Sequence, residues 1–288
     1  MDYIIPRFLS AVLTGMILSQ TGSLIQMSSR NVLASPSTLG FDGLSILWIL
    51  VFHSIMLIFG YEQPVLILFL TGIPLTVVIG WVYSKFIDTQ KSIERLILIG
   101  LTFNLLVGAI FSFWQFLFLA FNLPFPVELW FGHFRFANLE SLTILLIVEG
   151  GLVAGWLVFR KEFLLFSLGK NVSRNLKLDQ KKLFLFLFTS VAVGTFTVIS
   201  LFGAFSFLGL IFPYIARKFW FKKYDLKGEL FLGAFINGVG FMLIDCLSYF
   251  LPIYGAEVPV GLIATGMGAV CLILLLWKSN GQLAVAKR

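Results

Sequence analysis

Charge is what this chain has least of. Of 288 residues only 12% are Asp, Glu, Lys or Arg, while 59% are hydrophobic; a soluble domain carries about 25% charge. Cysteine and histidine are scarcer still, at two each. Cys246 and Cys271 both lie in apolar stretches and read as inert interior thiols, not a disulfide or a metal pair. His53 stands alone in an apolar run and reads as a core histidine, with His133 in a loop; neither pair makes a transition-metal path. There is no GxxxxGK[ST] loop, no HExxH and no plausible Ser/His/Asp set, so nucleotide hydrolysis, zinc chemistry and triad catalysis have no residues to work through. The net charge of +7 does not call for nucleic acid, because the Lys and Arg collect in short loops between apolar runs, as cytoplasmic loops do.

What fills the chain instead is a series of apolar stretches near the length needed to cross a hydrocarbon core about 30 Å thick. They predict an all-α polytopic membrane protein, a single transmembrane domain over residues 1–288, with nine spans near 8–27, 44–60, 64–84, 96–121, 141–159, 183–202, 203–216, 228–250 and 259–277. The N-terminus shows no cleavable signal pattern; its first apolar run continues into a helix. The sixth and seventh spans come from one run, Leu183 to Ala216, about 51 Å as a single helix. Basic segments flank it on both sides: Arg160 to Lys182 before and Arg217 to Lys227 after. Both belong on the cytoplasmic side, so an even number of crossings separates them, and Gly203 is the natural break. With the N-terminus outside and the C-terminus inside, only Arg7 and Arg135 of the 21 Lys and Arg fall outside.

Polar residues inside spans are the functional candidates. Glu149 sits mid-span among small residues and reads first as a hydrogen-bonded structural acid. Asp245 lies toward the outer end of its span, as a helix cap or a partner of Arg135. The first span carries Thr14, Gln20 and Gln26, and the fourth Thr102, Asn104, Ser112 and Gln115. Such groups either bond neighbouring helices or line a wet cavity, and composition does not choose between the two. The segment 160–182 is basic with interspersed apolar positions, among them Phe163, Leu164, Phe166, Leu168 and Val172. A short helix of this kind fits a groove on a partner or lies on anionic lipid.

Pro6 and Arg7, then Gly22 and Gln26, then Asn31, Leu33, Ala34, Pro36, Leu39 and Gly40 form a pattern that resembles the opening of the FecCD-like permeases, the membrane subunits of type II ATP-binding-cassette importers for ferric siderophores, haem and cobalamin. The stretch 166–179 is similar to the family's coupling loop, 203–217 to its block containing Gly209, Pro213 and Arg217, and 257–270 to its Glu-Leu-Pro-Val-Gly block. Val32, Tyr214 and Val270 depart from the family's Pro, His and Pro, and Ile4 from a second arginine. The family usually has ten spans, and this chain begins where the second would.

The resemblance implies a permease with no cofactor and no catalytic or metal site of its own. It pairs with a second permease subunit, identical or not, with two separate ATPase subunits beneath and an extracytoplasmic binding protein above, in a bacterial cell membrane. Phe166, Leu168, Gly169, Val172 and Arg174 are then expected to couple to the ATPases. Arg7 and Arg135 are expected to meet the binding protein. The translocation path is expected at Thr14, Gln20, Gln26, Asn104, Ser112, Gln115, Pro259 and Gly261. The rival readings are an ion-coupled secondary transporter, which would use Glu149 and show inverted repeats, and a membrane-embedded enzyme, which would need clustered catalytic groups. Neither the repeats nor the cluster is visible in the sequence.

Overall fold

The computed structural model describes residues 4–29, 31, 34–60, 65–86, 92–123, 125–126, 129–167, 180–205, 209–210, 213, 228–252 and 257–270. Helices dominate these residues, and no strand occurs among them. The long ones are α1 (Ile4–Ser29), α2 (Phe41–Phe59), α3 (Val65–Phe86), α4 (Ser92–Ala120), α5 (Leu139–Ser167) and α6 (Gln180–Phe202). A π-helical turn, Glu229–Gly233, leads into α7 (Ala234–Phe250), and a shorter apolar helix, α8, covers Val260–Val270. Among the described residues, seven helices are long and apolar enough to cross a membrane. They coincide with seven of the nine expected spans. The expected return span at 203–216 falls mostly outside the described residues, and the last span is described only through Val270.

The bilayer sets these lengths. Helices of 19 to 29 residues rise about 29–44 Å, so the longer ones project beyond the hydrocarbon. That corrects one expectation. The basic segment does not begin as a separate loop at Arg160: α5 runs on to Ser167. Nothing from Arg160 to Ser167 breaks a helix. Arg160 and Lys161 are exposed, whereas Phe163 and Phe166 turn inward and are buried.

The bundle is arranged around α1. Buried residues make up 72% of its apolar window, against 17% for α4, so α1 is a core element, in keeping with its many polar side chains. Serine, threonine and glutamine side chains replace bulk along it: Ser10, Thr14, Ser19, Gln20, Thr21, Ser23 and Gln26 are all buried. Small residues let backbones meet, as membrane helix contacts require. A Cβ on Gly15 would lie 2.8 Å from the Asn237 carbonyl of α7, and one on Gly22 only 1.8 Å from the Gly209 carbonyl. Around this axis the apolar core has one cluster beside the first half of α1 with Phe134, Phe202 and Phe241, an opposite one with Ile25, Phe163 and Phe188, and a third between α2, α3, α4 and α6 with Leu50, Phe69 and Phe196.

Two corners depend on glycine. Gly40, at φ +85°, ends the short 3₁₀ turn Ser37–Leu39 and starts α2. Gly203, also at φ +85°, stands directly after the end of α6 and donates its N–H to the Ile199 carbonyl at 2.9 Å. A left-handed residue here is the usual helix stop, and it falls where the overlong apolar run requires a break.

Candidate functional site

Among the described residues, the most concentrated buried charge lies at the end of the bundle where α1 begins. Arg7, in the first turns of α1, is buried. Its Nε donates to both carboxylate oxygens of Asp245 (3.2 and 2.9 Å), its Nη2 to Asp245 Oδ1 (2.8 Å), and its Nη1 to Glu257 Oε2 (2.9 Å). The guanidinium also stacks over Tyr249, 4.9 Å from the ring centre. The bidentate fork is the geometry arginine offers a carboxylate. Asp245 is completely enclosed, while the Glu257 side chain keeps 32% of its surface open. One cation thus ties the start of α1 to the end of α7 and to the turn before α8. The partner expected for Asp245, Arg135, is exposed instead and lies over the Phe136 ring at 5.9 Å. Arg7, expected as a docking cation, is spent within the chain.

Beside this trio the outer loop is fastened by its main chain. Ala204 N–H donates to the Leu129 carbonyl (3.0 Å), Gly132 N–H to the Ala204 carbonyl (2.9 Å), and His133 N–H to the Phe202 carbonyl (2.8 Å). Gly261 N–H then donates to the Gly132 carbonyl (2.7 Å). The peptide groups around Gly132 therefore join the outer loop, the broken end of α6 and the first turn of α8. Gly261 is needed for this, since a Cβ there would lie 2.6 Å from the Gly132 nitrogen. Phe134 covers the junction from within, packed on Phe202 and Phe205.

The expected path residues separate into two groups. On α1, Gln20 and Gln26 bond to neighbouring segments of the chain, while Thr14 is buried without such a bond. Gln20 Nε2 donates to Glu149 Oε1 at 2.7 Å and to the Leu230 carbonyl, in the π-helical turn, at 3.3 Å. Gln26 Nε2 donates to the Leu210 carbonyl at 2.9 Å, and Thr14 is fully buried. Glu149 is thereby a hydrogen-bonded interior acid. The α4 residues behave differently. Asn104 reaches the Ser37 carbonyl, but Thr102, Ser112 and Gln115 are exposed among Leu98, Leu105, Phe113 and Phe116. The hydroxyls of Thr102 and Ser112 return to carbonyls of their own helix, at Leu98 and Gly108. Among the described residues, none satisfies the Gln115 amide. Pro259 and Gly261 stand at the start of α8, half-buried and buried.

At the opposite end, Phe166 packs edge-on against Phe184 at 5.5 Å. Leu168, Gly169, Val172, Arg174 and Arg217 lie outside the described residues. The motif around Asn31, Pro36 and Gly40 is a built corner. Ser35 and Thr38 cap each other through backbone N–H to hydroxyl bonds of 2.8 and 3.1 Å, and Ser37 Oγ donates to Asp42 Oδ2 at 2.5 Å. Tyr83, which sequence reasoning passed over, anchors the corner by donating its hydroxyl to the Leu39 carbonyl at 2.6 Å. Gly209 is the close neighbour of Gly22, and Pro213 is buried.

Among the described residues, seven membrane-length helices with the polar α1 at their centre, and a helix stop at Gly203, define a multi-pass membrane protein. The chain belongs to the FecCD transport family, whose pattern it matches over residues 1–278. It is 28% identical over 287 residues to the petrobactin import system permease protein FatD of Bacillus anthracis, covering 96% of this chain and 80% of that one. It is 26% identical over 286 residues to the ferric enterobactin transport system permease protein FepG of Escherichia coli K12, covering 96% and 81%. Its fold is that of a solved structure described as an inward-facing metal-chelate type ABC transporter, with a TM-score of 0.77 at 23% identity over 95% of this chain and 85% of the other. The type II importer permease fold and the all-helical architecture expected from the sequence are therefore present.

Proposed function

We propose that the chain is one of two permease subunits of an ATP-binding-cassette importer that brings an iron chelate into the cell, with a ferric siderophore as the first candidate and haem or cobalamin as the others. The observation that carries this reading is the outward face of α4. An unsatisfied amide, Gln115, on a membrane helix calls for a facing helix or a wet channel, and a second permease subunit supplies both. Two relatives named for petrobactin import and ferric enterobactin transport support the cargo.

In this assembly the path runs beside Thr102, Ser112 and Gln115 of α4 and the start of α8 at Pro259 and Gly261. Separate ATPases dock below, on the stretch of sequence after α5 that holds Leu168, Gly169, Val172 and Arg174. A binding protein delivers cargo from above, where Arg135 offers it a cation; such rim charges steer encounter more than they tighten binding. The distribution of Lys and Arg supports an outer N-terminus and a cytoplasmic C-terminus.

The test is uptake into liposomes after co-expression with candidate ATPase and binding-protein partners, offering ferric siderophore, haem and cobalamin in turn. Uptake that needs both ATP and the binding protein is expected. Replacing Leu168 and Gly169 by glutamate is expected to leave ATP hydrolysis running without transport; unchanged transport would remove the coupling role. Uptake with no ATPase present, abolished by Glu149→Gln, would replace the importer reading with an ion-coupled carrier.

A further inference from the structure

A groove opens on the outer surface of the bundle between α3 and α5, with α6 as its floor. It has a volume of about 580 Å³ and is lined by Val78, Trp81, Phe159, Phe186, Thr189 and Lys182, among others. Its shape is fixed by glycine on both sides. Gly80 brings α3 onto the Thr189 backbone, where a Cβ would lie 2.8 Å away, and Gly155 of α5 makes room for the Phe186 ring, since a Cβ there would lie 2.3 Å from it. Phe186 in turn stacks on Phe159 at 4.6 Å, which closes one wall. The floor residues Lys182, Leu185, Phe186 and Thr189 form one stripe at helical spacing, about 10 Å long. The Thr189 hydroxyl is spent on the Leu185 carbonyl of its own helix, so the deep end of the groove is apolar in effect.

The shallow end is different. Lys181 and Lys182 stand at the start of the described part of α6. Arg160 and Lys161 follow directly on Phe159, and all four cations are exposed. Trp81, 46% exposed, supplies the ring that settles at a membrane interface. An apolar slot that runs roughly two-thirds of the depth of one leaflet, about 15 Å, and ends in a cluster of cations matches a lipid with a negative headgroup.

We propose that this groove is a binding site for an anionic phospholipid of the cytoplasmic leaflet, one acyl chain lying along the α6 stripe and the phosphate held by Lys181, Lys182 and the neighbouring Arg160 and Lys161. Basic pockets between membrane helices are the known chemistry for such headgroups. The site requires that the helices span a membrane, but nothing in it requires transport.

Quenching of Trp81 tests it. The full chain is reconstituted in phosphatidylcholine containing a fixed fraction of either brominated phosphatidylglycerol or brominated phosphatidylcholine, and the Trp81 signal is taken as the difference from Trp81→Phe. The expected result is stronger quenching by the anionic lipid, with its relative affinity falling about fivefold for each lysine removed in Lys181→Gln and Lys182→Gln. Val78→Phe, which fills the slot and leaves the charges, is expected to lower quenching by the anionic lipid as well. Equal quenching by the two lipids in the unaltered protein would overturn the proposal and leave only ordinary boundary lipid. A preference that survives both lysine substitutions would overturn it too, since the anion would then be held elsewhere. Neither readout depends on cargo, ATPase or binding protein, so failure of the importer reading leaves this test intact.

Discussion

At the residue scale, the contacts that matter most join residues far apart in the chain. Asp245 has no water to fall back on, so removing either member of its pair with Arg7 leaves an uncompensated buried charge. Asp245→Ala is expected to cost about 3–5 kcal/mol, read by chemical unfolding in mixed micelles. Glu257→Gln is expected to cost clearly less, because its side chain is 32% open and keeps an acceptor oxygen for Arg7. Equal losses for the two would mean that the guanidinium is held by Glu257 as firmly as by Asp245. Gln20 and Glu149 form the second such contact. Gln20→Leu deletes the donor facing a buried carboxyl and is expected to cost about 1–3 kcal/mol. Glu149→Gln, which retains an oxygen opposite the Gln20 amide, is expected to be nearer neutral by the same measurement.

At the element scale, the spans were legible and their partners were not. Hydrocarbon thickness imposes a length on each apolar run, and the run of 34 residues after Leu183 demanded a stop that Gly203 supplies. Hydropathy does not say where a helix ends once it has left the hydrocarbon, so α5 outran its expected end and carried Phe163 and Phe166 into the core. Nor does it say which helix is central. The buried hydroxyls and amides of α1 marked it as unlike a lipid-facing helix, yet they are equally suited to a wet path, and only its neighbours show that Gln20 and Gln26 bond within the chain. The link from Arg7 to Asp245 spans 238 positions, and no periodicity encodes it; the topology does put both at the outer end, which was the available signal. Two substitutions probe the elements directly. Gly203→Val places a branched side chain in the left-handed region and is expected to cost at least about 1–2 kcal/mol. Gly22→Ala would set a methyl carbon 1.8 Å from the Gly209 carbonyl, and a sharp loss of folded protein on size-exclusion chromatography is expected, with Gly150→Ala, which meets nothing within 4 Å, as the tolerated control.

At the scale of the whole molecule, one protomer leaves α4 largely open, with 17% of its window buried. In the proposed assembly that face meets a second subunit and the cargo. Gln115→Leu is expected to lower uptake about tenfold, the size of one interhelical hydrogen bond of 1–2 kcal/mol, while Gln115→Asn keeps part of it; uptake indifferent to both would put α4 against lipid. The outer junction carries a different consequence. Its ties between Leu129, Gly132, Ala204 and Gly261 run from peptide to peptide, and a peptide group is the one part of a residue that substitution leaves in place. Short of proline, or of a side chain too large for the gap at Gly132 and Gly261, point changes cannot erase them. A lineage can therefore rewrite the surrounding side chains and inherit the same fastening at this end of the bundle.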